Sequence, residues 1–130
     1  METFVADTHA LAWFLSEDDR LSATALQILS AAEAGETQVL ISTLVLAELT
    51  YIAQRQRVPV TIEAALTRIE AGDGFAIVPF DLSCFQAMLG LPDQWDIHDR
   101  IIAATAKLYG AQLITRDEML STSGTVTVVW

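Results

Sequence analysis

The sequence predicts a single α/β domain built on a mainly parallel sheet, and three observations carry that prediction. Short apolar runs rich in β-branched residues alternate with amphipathic helical stretches along the whole chain, the pattern of strand–helix–strand units. At 130 residues the chain suits one domain with a continuous core. Hydrophobic residues make up 52% and charged residues 18%, which excludes a disordered or low-complexity chain. No internal repeat or linker interrupts the pattern.

Thr3-Phe4-Val5-Ala6 reads as a buried strand that ends at Asp7. Ala10 to Leu15 is helical, and Asp18-Asp19 breaks the pattern. Ser22 begins an amphipathic helix with Ala25, Leu26, Leu29 and Ala32 on one face, closed at Gly35. Val39-Leu40-Ile41 is the second strand. Ser42 caps a helix running to about Arg57, which Pro59 stops. Thr61 to Ala71 forms the next helix, ended by the turn Gly72-Asp73-Gly74. Phe75 to Phe80 is the third strand, with Pro79 marking an edge or a strand end. Leu82 to Leu89 is helical until Gly90-Leu91-Pro92. Asp96 opens a helix through Leu108 that Gly110 stops. Gln112-Leu113-Ile114 is the fourth strand, leading into Thr115-Arg116-Asp117, and Thr125 to Val129 is the fifth.

Cys84 is the only cysteine, so no internal disulfide forms, and its apolar surroundings mark it as a small buried hydrophobe. Met1-Glu2-Thr3 lacks the positive region of a signal peptide. No apolar run approaches the roughly 18 residues of a membrane span. The expectation is a cytoplasmic protein without membrane association. Seven Lys+Arg against 17 Asp+Glu give a net charge of −10. Taken alone, that charge points away from nucleic acid, because phosphate neutralisation normally needs a Lys/Arg excess.

The placement of the acids points the other way. Ligand sites in open α/β sheets collect beyond the carboxyl ends of the strands, and Asp7, Asp81 and Asp117 each follow a predicted strand. Each is also a natural cap or turn residue. For Asp81, before Leu82-Ser83-Cys84-Phe85, capping suffices. Glu48 differs: its helical neighbours Leu44, Val45, Tyr51 and Ile52 are apolar or aromatic, so it projects from a face expected to be buried. A carboxylate there calls for a cation partner or a metal. Asp96 and Asp99 share one helix face, with Asp96 as N-cap and Asp99 either its capping-box partner or directed inward beside Ile102 and Ala103. His9 and His98 have no zinc-like spacing and read as surface or structural residues; His98 points about 100° from Asp99. Carboxylates converging without lysines repel one another unless a cation joins them. Oxygen ligands in a wet cleft select Mg²⁺ or Mn²⁺, whose main chemistry is phosphoryl displacement.

Asp7-Thr8 after the first strand, Glu48 on its apolar helix, the segment from Asp96 through His98-Asp99-Arg100-Ile101-Ile102-Ala103-Ala104-Thr105-Ala106, and Leu113-Ile114-Thr115-Arg116-Asp117 together resemble a PIN domain. More narrowly, the chain resembles the VapC-type toxin ribonucleases of bacterial type II toxin–antitoxin pairs, over nearly its whole length. The resemblance implies a five-stranded parallel sheet in order 3-2-1-4-5 between helices, and a homodimer. It implies that Asp7, Glu48, Asp99 and Asp117 are the metal-binding catalytic acids, with Asp96 as a supporting acid. It further implies that Thr8 and Thr115 hydrogen-bond the acids or the bound water, and that Arg100 tethers a neighbouring acid. His98 stands where small residues are common in that motif.

The reading is therefore an endoribonuclease dependent on Mg²⁺, with Mn²⁺ as a substitute, in which the metal activates water. Arg20, Arg55, Arg57 and Arg116 are the candidates for contact with RNA. The acidic cleft also suggests a cognate antitoxin with a basic segment. A catalytically silent PIN-fold interaction module is the alternative. A receiver-type phosphotransfer domain fits poorly, because Asp7 stands single and the only lysine, Lys107, lies inside a helix.

Overall fold

In the computed structural model, which describes residues 2–130, the chain runs β1 (Thr3–Ala6), α1 (Thr8–Leu15), α2 (Ala23–Glu33), β2 (Gln38–Ser42), α3 (Thr43–Gln54) and α4 (Ile62–Ala71). It continues through β3 (Phe75–Val78), α5 (Leu82–Leu89), α6 (Ile97–Leu108), β4 (Gln112–Ile114), α7 (Glu118–Thr122) and β5 (Val128–Val129). Met1, part of the signal-peptide reading, lies outside the described residues. The strands form one parallel sheet in the expected order, β3-β2-β1-β4-β5. β1 is central: Val5 pairs with Leu40 on one side and Leu113 on the other. Helices cover both faces of such a sheet, so its inner strands read as continuous apolar runs; Phe4-Val5-Ala6 and Val39-Leu40-Ile41 are accordingly buried.

All seven helices of the described residues begin at a side-chain N-cap: Asp7, Ser22, Ser42, Thr61, Asp81, Asp96 and Asp117. Each side chain accepts a hydrogen bond from an otherwise orphaned backbone N–H, worth about 1 kcal/mol per cap. Asp81 is such a cap, bonded by the Cys84 N–H at 3.1 Å. Cys84 is buried and its Sγ lies 3.3 Å from Thr105 Oγ1.

The structure shifts several expected boundaries. Capping by Asp7 starts α1 at Thr8, two residues before Ala10. Leu26 does not share the buried face of α2; it is 49% exposed while Ala25, Leu29 and Ala32 are fully buried. α3 ends at Gln54 rather than near Arg57, because Gln56 turns into the left-handed region at φ 54°. β3 stops at Val78, since Pro79 brings no N–H to the ladder; its edge position is as expected. β5 shortens from Thr125–Val129 to two residues. The short helix α7 has no counterpart among the expected elements. Among the described residues, no helix is long and apolar enough to cross a membrane.

The strand order reverses beside β1, with β2 on one flank and β4 on the other. A crevice opens at such a point beyond the carboxyl ends of the strands. Asp7 and Asp117 both leave the sheet there, joined by the Asp7 N–H donating to the Ile114 carbonyl at 3.1 Å.

Candidate functional site

A cavity of about 480 Å³ occupies this crevice, and Asp7, Glu48, Asp96, Asp99 and Asp117 all line it. They come from four places in the fold: the end of β1, the middle of α3, the first turn of α6 and the loop after β4. Chain segments far apart in sequence thus present carboxylates to one space that no lysine lines.

The acids are held differently. Asp7 is both cap and cavity wall. Its Oδ1 accepts from the Ala10 N–H at 2.8 Å and its Oδ2 from the Thr115 hydroxyl in a short hydrogen bond. Burial pushes the Asp7 carboxyl above its usual range, and the bonds from Thr115 and Ala10 partly hold it down. Asp117 caps α7 through the Leu120 N–H at 3.0 Å, and its own N–H donates to Thr115 Oγ1 at 3.1 Å. Fully buried Thr115 therefore ties together the two acids beyond the carboxyl ends of β1 and β4. Glu48 Oε1 accepts from the Thr8 hydroxyl at 2.8 Å, and its Oε2 lies 3.2 Å from His98 Nδ1. Thr8 and Thr115 thus each hydrogen-bond an acid. Glu48 is half-buried rather than fully buried, because it opens onto the cavity.

Asp99 alone among the four has no hydrogen-bond partner for its carboxylate within the described residues. Burial, then the charges of Asp117, Asp96, Asp7 and Glu48, push its carboxyl up. Asp96 caps α6 through the His98 N–H at 2.9 Å and stays exposed. The reciprocal half of a capping box is missing, so Asp99 is free to face inward beside Ile102.

His98, read as a surface or structural residue, is half exposed and pairs with Glu48, and it also lines the cavity: the 100° rotation that separates it from Asp99 turns it toward α3. His9 also lines the cavity. Arg100 tethers no acid; its Nη2 donates to the carbonyls of Met88 and Leu91 at 3.3 and 3.4 Å, around the end of α5. Of the four candidate arginines, Arg20 and Arg116 line the cavity. Arg55 and Arg57 instead gather on Tyr51 at the end of α3, 3.5 and 5.6 Å from its ring centre. Trp13 and Trp130, unremarked in the sequence, complete the wall. Their only signal was an aromatic residue inside the first helix and another just past the last strand, which cannot be told from core.

Among the described residues, no three His, Cys, Asp or Glu side chains converge closely enough to hold an ion by themselves. Five carboxylates nonetheless face one cavity, and that of Asp99 is unengaged. This donor set suits an ion that keeps several of its own waters, the habit of Mg²⁺, and not a zinc site closed by nitrogen and sulfur.

Comparison with known proteins identifies the family. The family model described as "PIN domain" matches residues 4–123. Ribonuclease VapC22 of Mycobacterium tuberculosis (strain ATCC 25618 / H37Rv) is 27% identical over 122 residues, covering 92% of this chain and 91% of that protein. A toxin–antitoxin complex from Klebsiella pneumoniae superposes with a TM-score of 0.64 at 25% identity, over 100% of this chain and 97% of the other. VapBC2 from Rickettsia felis, bound to a DNA fragment from its promoter, gives a TM-score of 0.68 at 18% identity, over 98% and 97%. The resemblance to VapC-type toxins read from the sequence is borne out, and the chain belongs to the PIN domain family.

Proposed function

We propose that this protein is the toxin of a toxin–antitoxin pair, an endoribonuclease that hydrolyses RNA phosphodiester bonds with Mg²⁺ or Mn²⁺. The observation that carries the reading is the convergence of Asp7, Glu48, Asp99 and Asp117 from separate elements on one lysine-free cavity. The likeness to ribonuclease VapC22 supports the substrate, and the likeness to toxin–antitoxin complexes supports an antitoxin partner. An acidic cavity in a chain of charge −10 favours a basic antitoxin segment. A homodimer and a cytoplasmic setting belong to the same reading.

Asp7, Asp99 and Asp117 are the residues that would hold the ion. A divalent cation held by them would supply charge neutralisation at the phosphoryl group and a more acidic water. Thr115 keeps the Asp7 carboxylate in one orientation and ties Asp117 to it. Thr8 and His98 aim the Glu48 carboxylate, placing an acceptor for a water proton on the opposite wall. In-line attack by water leaves a 5′-phosphate and a 3′-hydroxyl and uses no 2′-hydroxyl.

Purified protein incubated with RNA and Mg²⁺ or Mn²⁺ is expected to cut it, and both EDTA and Asp7→Asn are expected to stop cleavage. Induced expression in a bacterium should arrest growth and create new RNA 5′ ends with the wild type only. Metal-stimulated cleavage that survives in Asp7→Asn and in Asp99→Asn alike rejects the site. An inert wild type that binds no Mn²⁺ by titration calorimetry makes the chain an interaction module instead.

A pH profile tests Thr115. Its hydroxyl lowers the Asp7 pKa against the upward push of burial, so Thr115→Val should move the acidic limb of the rate profile to higher pH. An unmoved limb would mean that Asp7 ionisation does not govern that limb.

A further inference from the structure

The cavity has a second wall that the acids do not explain. Arg20 and Arg116 both line it, and both guanidinium groups lie over the Trp13 ring, with Cζ 4.9 and 4.6 Å from its centre. Trp13 is only 4% exposed, so the ring is a fixed platform rather than a surface side chain. Trp130 packs edge-on against it at 6.0 Å and 65°. Arg20 is further locked through Nε and Nη2 to Asp18, at 3.0 and 2.8 Å, while its Nη1 makes no hydrogen bond among the described residues. Arg116 makes no hydrogen bond or ion pair among them. Of the other five arginines and lysines, Arg68 is paired with Glu33 and Arg100 bonds to carbonyls.

Two arginines mounted on one buried indole therefore face the same space as five carboxylates without pairing to any of them. Stacking restricts a guanidinium before a ligand arrives, so less freedom is lost when it binds. Unused N–H donors in a fixed plane match the oxygens of a phosphate. The acids repel a polyanion, and this pair offsets that repulsion at one defined place.

From this geometry we infer that Arg20, Arg116 and Trp13 form a phosphate subsite, which binds a phosphodiester next to the one being cut. Arg20 and Arg116 are the binding residues and Trp13 is a positioning residue. The inference rests on the cavity being a ribonuclease site. It makes the minimal substrate a strand with at least one further phosphate beside the scissile bond.

The test uses the full chain and a fluorescently labelled single-stranded RNA that the wild type cuts, with anisotropy in EDTA reading binding and metal-supported turnover reading cleavage. Arg20→Gln and Arg116→Gln should each weaken binding about tenfold, the loss of one charge-assisted contact. In turnover the loss should fall on KM rather than kcat. The salt dependence of binding should flatten by about 0.7 in the log–log slope for each arginine removed. A neutral methylphosphonate at the linkage beside the scissile bond should weaken binding to the wild type and leave the double variant indifferent. Trp13→Leu should reproduce the arginine losses, and Trp13→Phe should recover part of them. Unchanged binding and KM in the arginine variants overturns the subsite while leaving the nuclease reading intact, as does a loss confined to kcat. A wild type that binds the RNA through these arginines yet never cuts it overturns the nuclease reading and keeps the subsite.

Discussion

Replacing Asp99 with asparagine is expected to lower RNA cleavage about a thousandfold or more, the scale of losing one charge that holds a catalytic cation. The same substitution is expected to stabilise the protein in EDTA. The Asp99 carboxyl is pushed up by burial and by four neighbouring acids, so its ionised form is disfavoured in the folded state. A carboxyl with a raised folded pKa binds more protons folded than unfolded. Its contribution to stability is therefore full below the unfolded value, near 3.8, and is lost as pH rises through the folded value. At neutral pH the ionised group destabilises, and asparagine removes the penalty. Thermal melts in EDTA at pH 7.5 should show Asp99→Asn melting above wild type. The gap should close toward pH 4 and narrow in high salt, which screens a half-exposed group. A variant that melts below wild type in EDTA would mean that the acids do not strain the fold, and with it goes the reason for assigning them to a cation. Lost activity paired with gained stability marks an acid held for function, whereas losing a residue that only caps a helix costs stability.

Gly74→Ala is expected to be the most damaging single-methyl change in the chain. A Cβ there would stand 2.1 Å from the Thr37 carbonyl oxygen, 2.4 Å from that of Ala32 and 2.9 Å from the Ala32 Cα. All three are backbone atoms, so no side chain can swing aside. The glycine also donates to the Ala32 carbonyl at 2.7 Å and accepts from the Val39 N–H at 2.9 Å, pinning the end of α2 to the start of β3 and β2. Relieving the overlap means moving that junction, at a cost of about 3 kcal/mol or more. In a domain of this size such a loss lowers Tm by about 10 °C. Gly90→Ala is the control: its nearest neighbour is the Ala87 carbonyl oxygen at 3.5 Å, an ordinary contact. Gly90→Ala should melt within a degree or two of wild type. Equal melting of the two variants would reject the close approach at Gly74.

Much of the fold was legible because its signals are local. Buried parallel strands show as apolar runs such as Phe4-Val5-Ala6, and Ser22, Ser42, Thr61, Asp81 and Asp96 announced their helices. Element ends were less legible. The left-handed turn at Gln56 has no glycine or asparagine to mark it, and α7 is too short for a periodic pattern. Leu26 misled because apolar spacing alone does not say where a helix face meets its neighbour. Gly74 was visible as a turn residue, but the backbone crowding that requires it comes from Ala32 in α2 and Thr37 before β2, some forty residues earlier in the chain.

For the site, the division follows what each residue type can reveal unaided. The sequence alone determined the α/β class, the acids at strand and helix ends, and their match to the PIN pattern. A carboxylate after a buried strand is conspicuous whatever surrounds it. Beyond Thr8 and Thr115, only the tertiary structure decided which residues meet those acids. Asp7, Asp96 and Asp117 cap helices and also line the cavity, so the capping and functional readings that compete in sequence are both true. His98 meets Glu48 from another helix, and Arg100 turns away from the acids to satisfy carbonyls. Arg20 and Arg116 meet over Trp13, while Arg55 and Arg57 gather elsewhere. The physical reason is direction. Spacing along one helix or strand fixes a side chain's bearing within that element, whereas its partner is set by how the elements pack across the sheet.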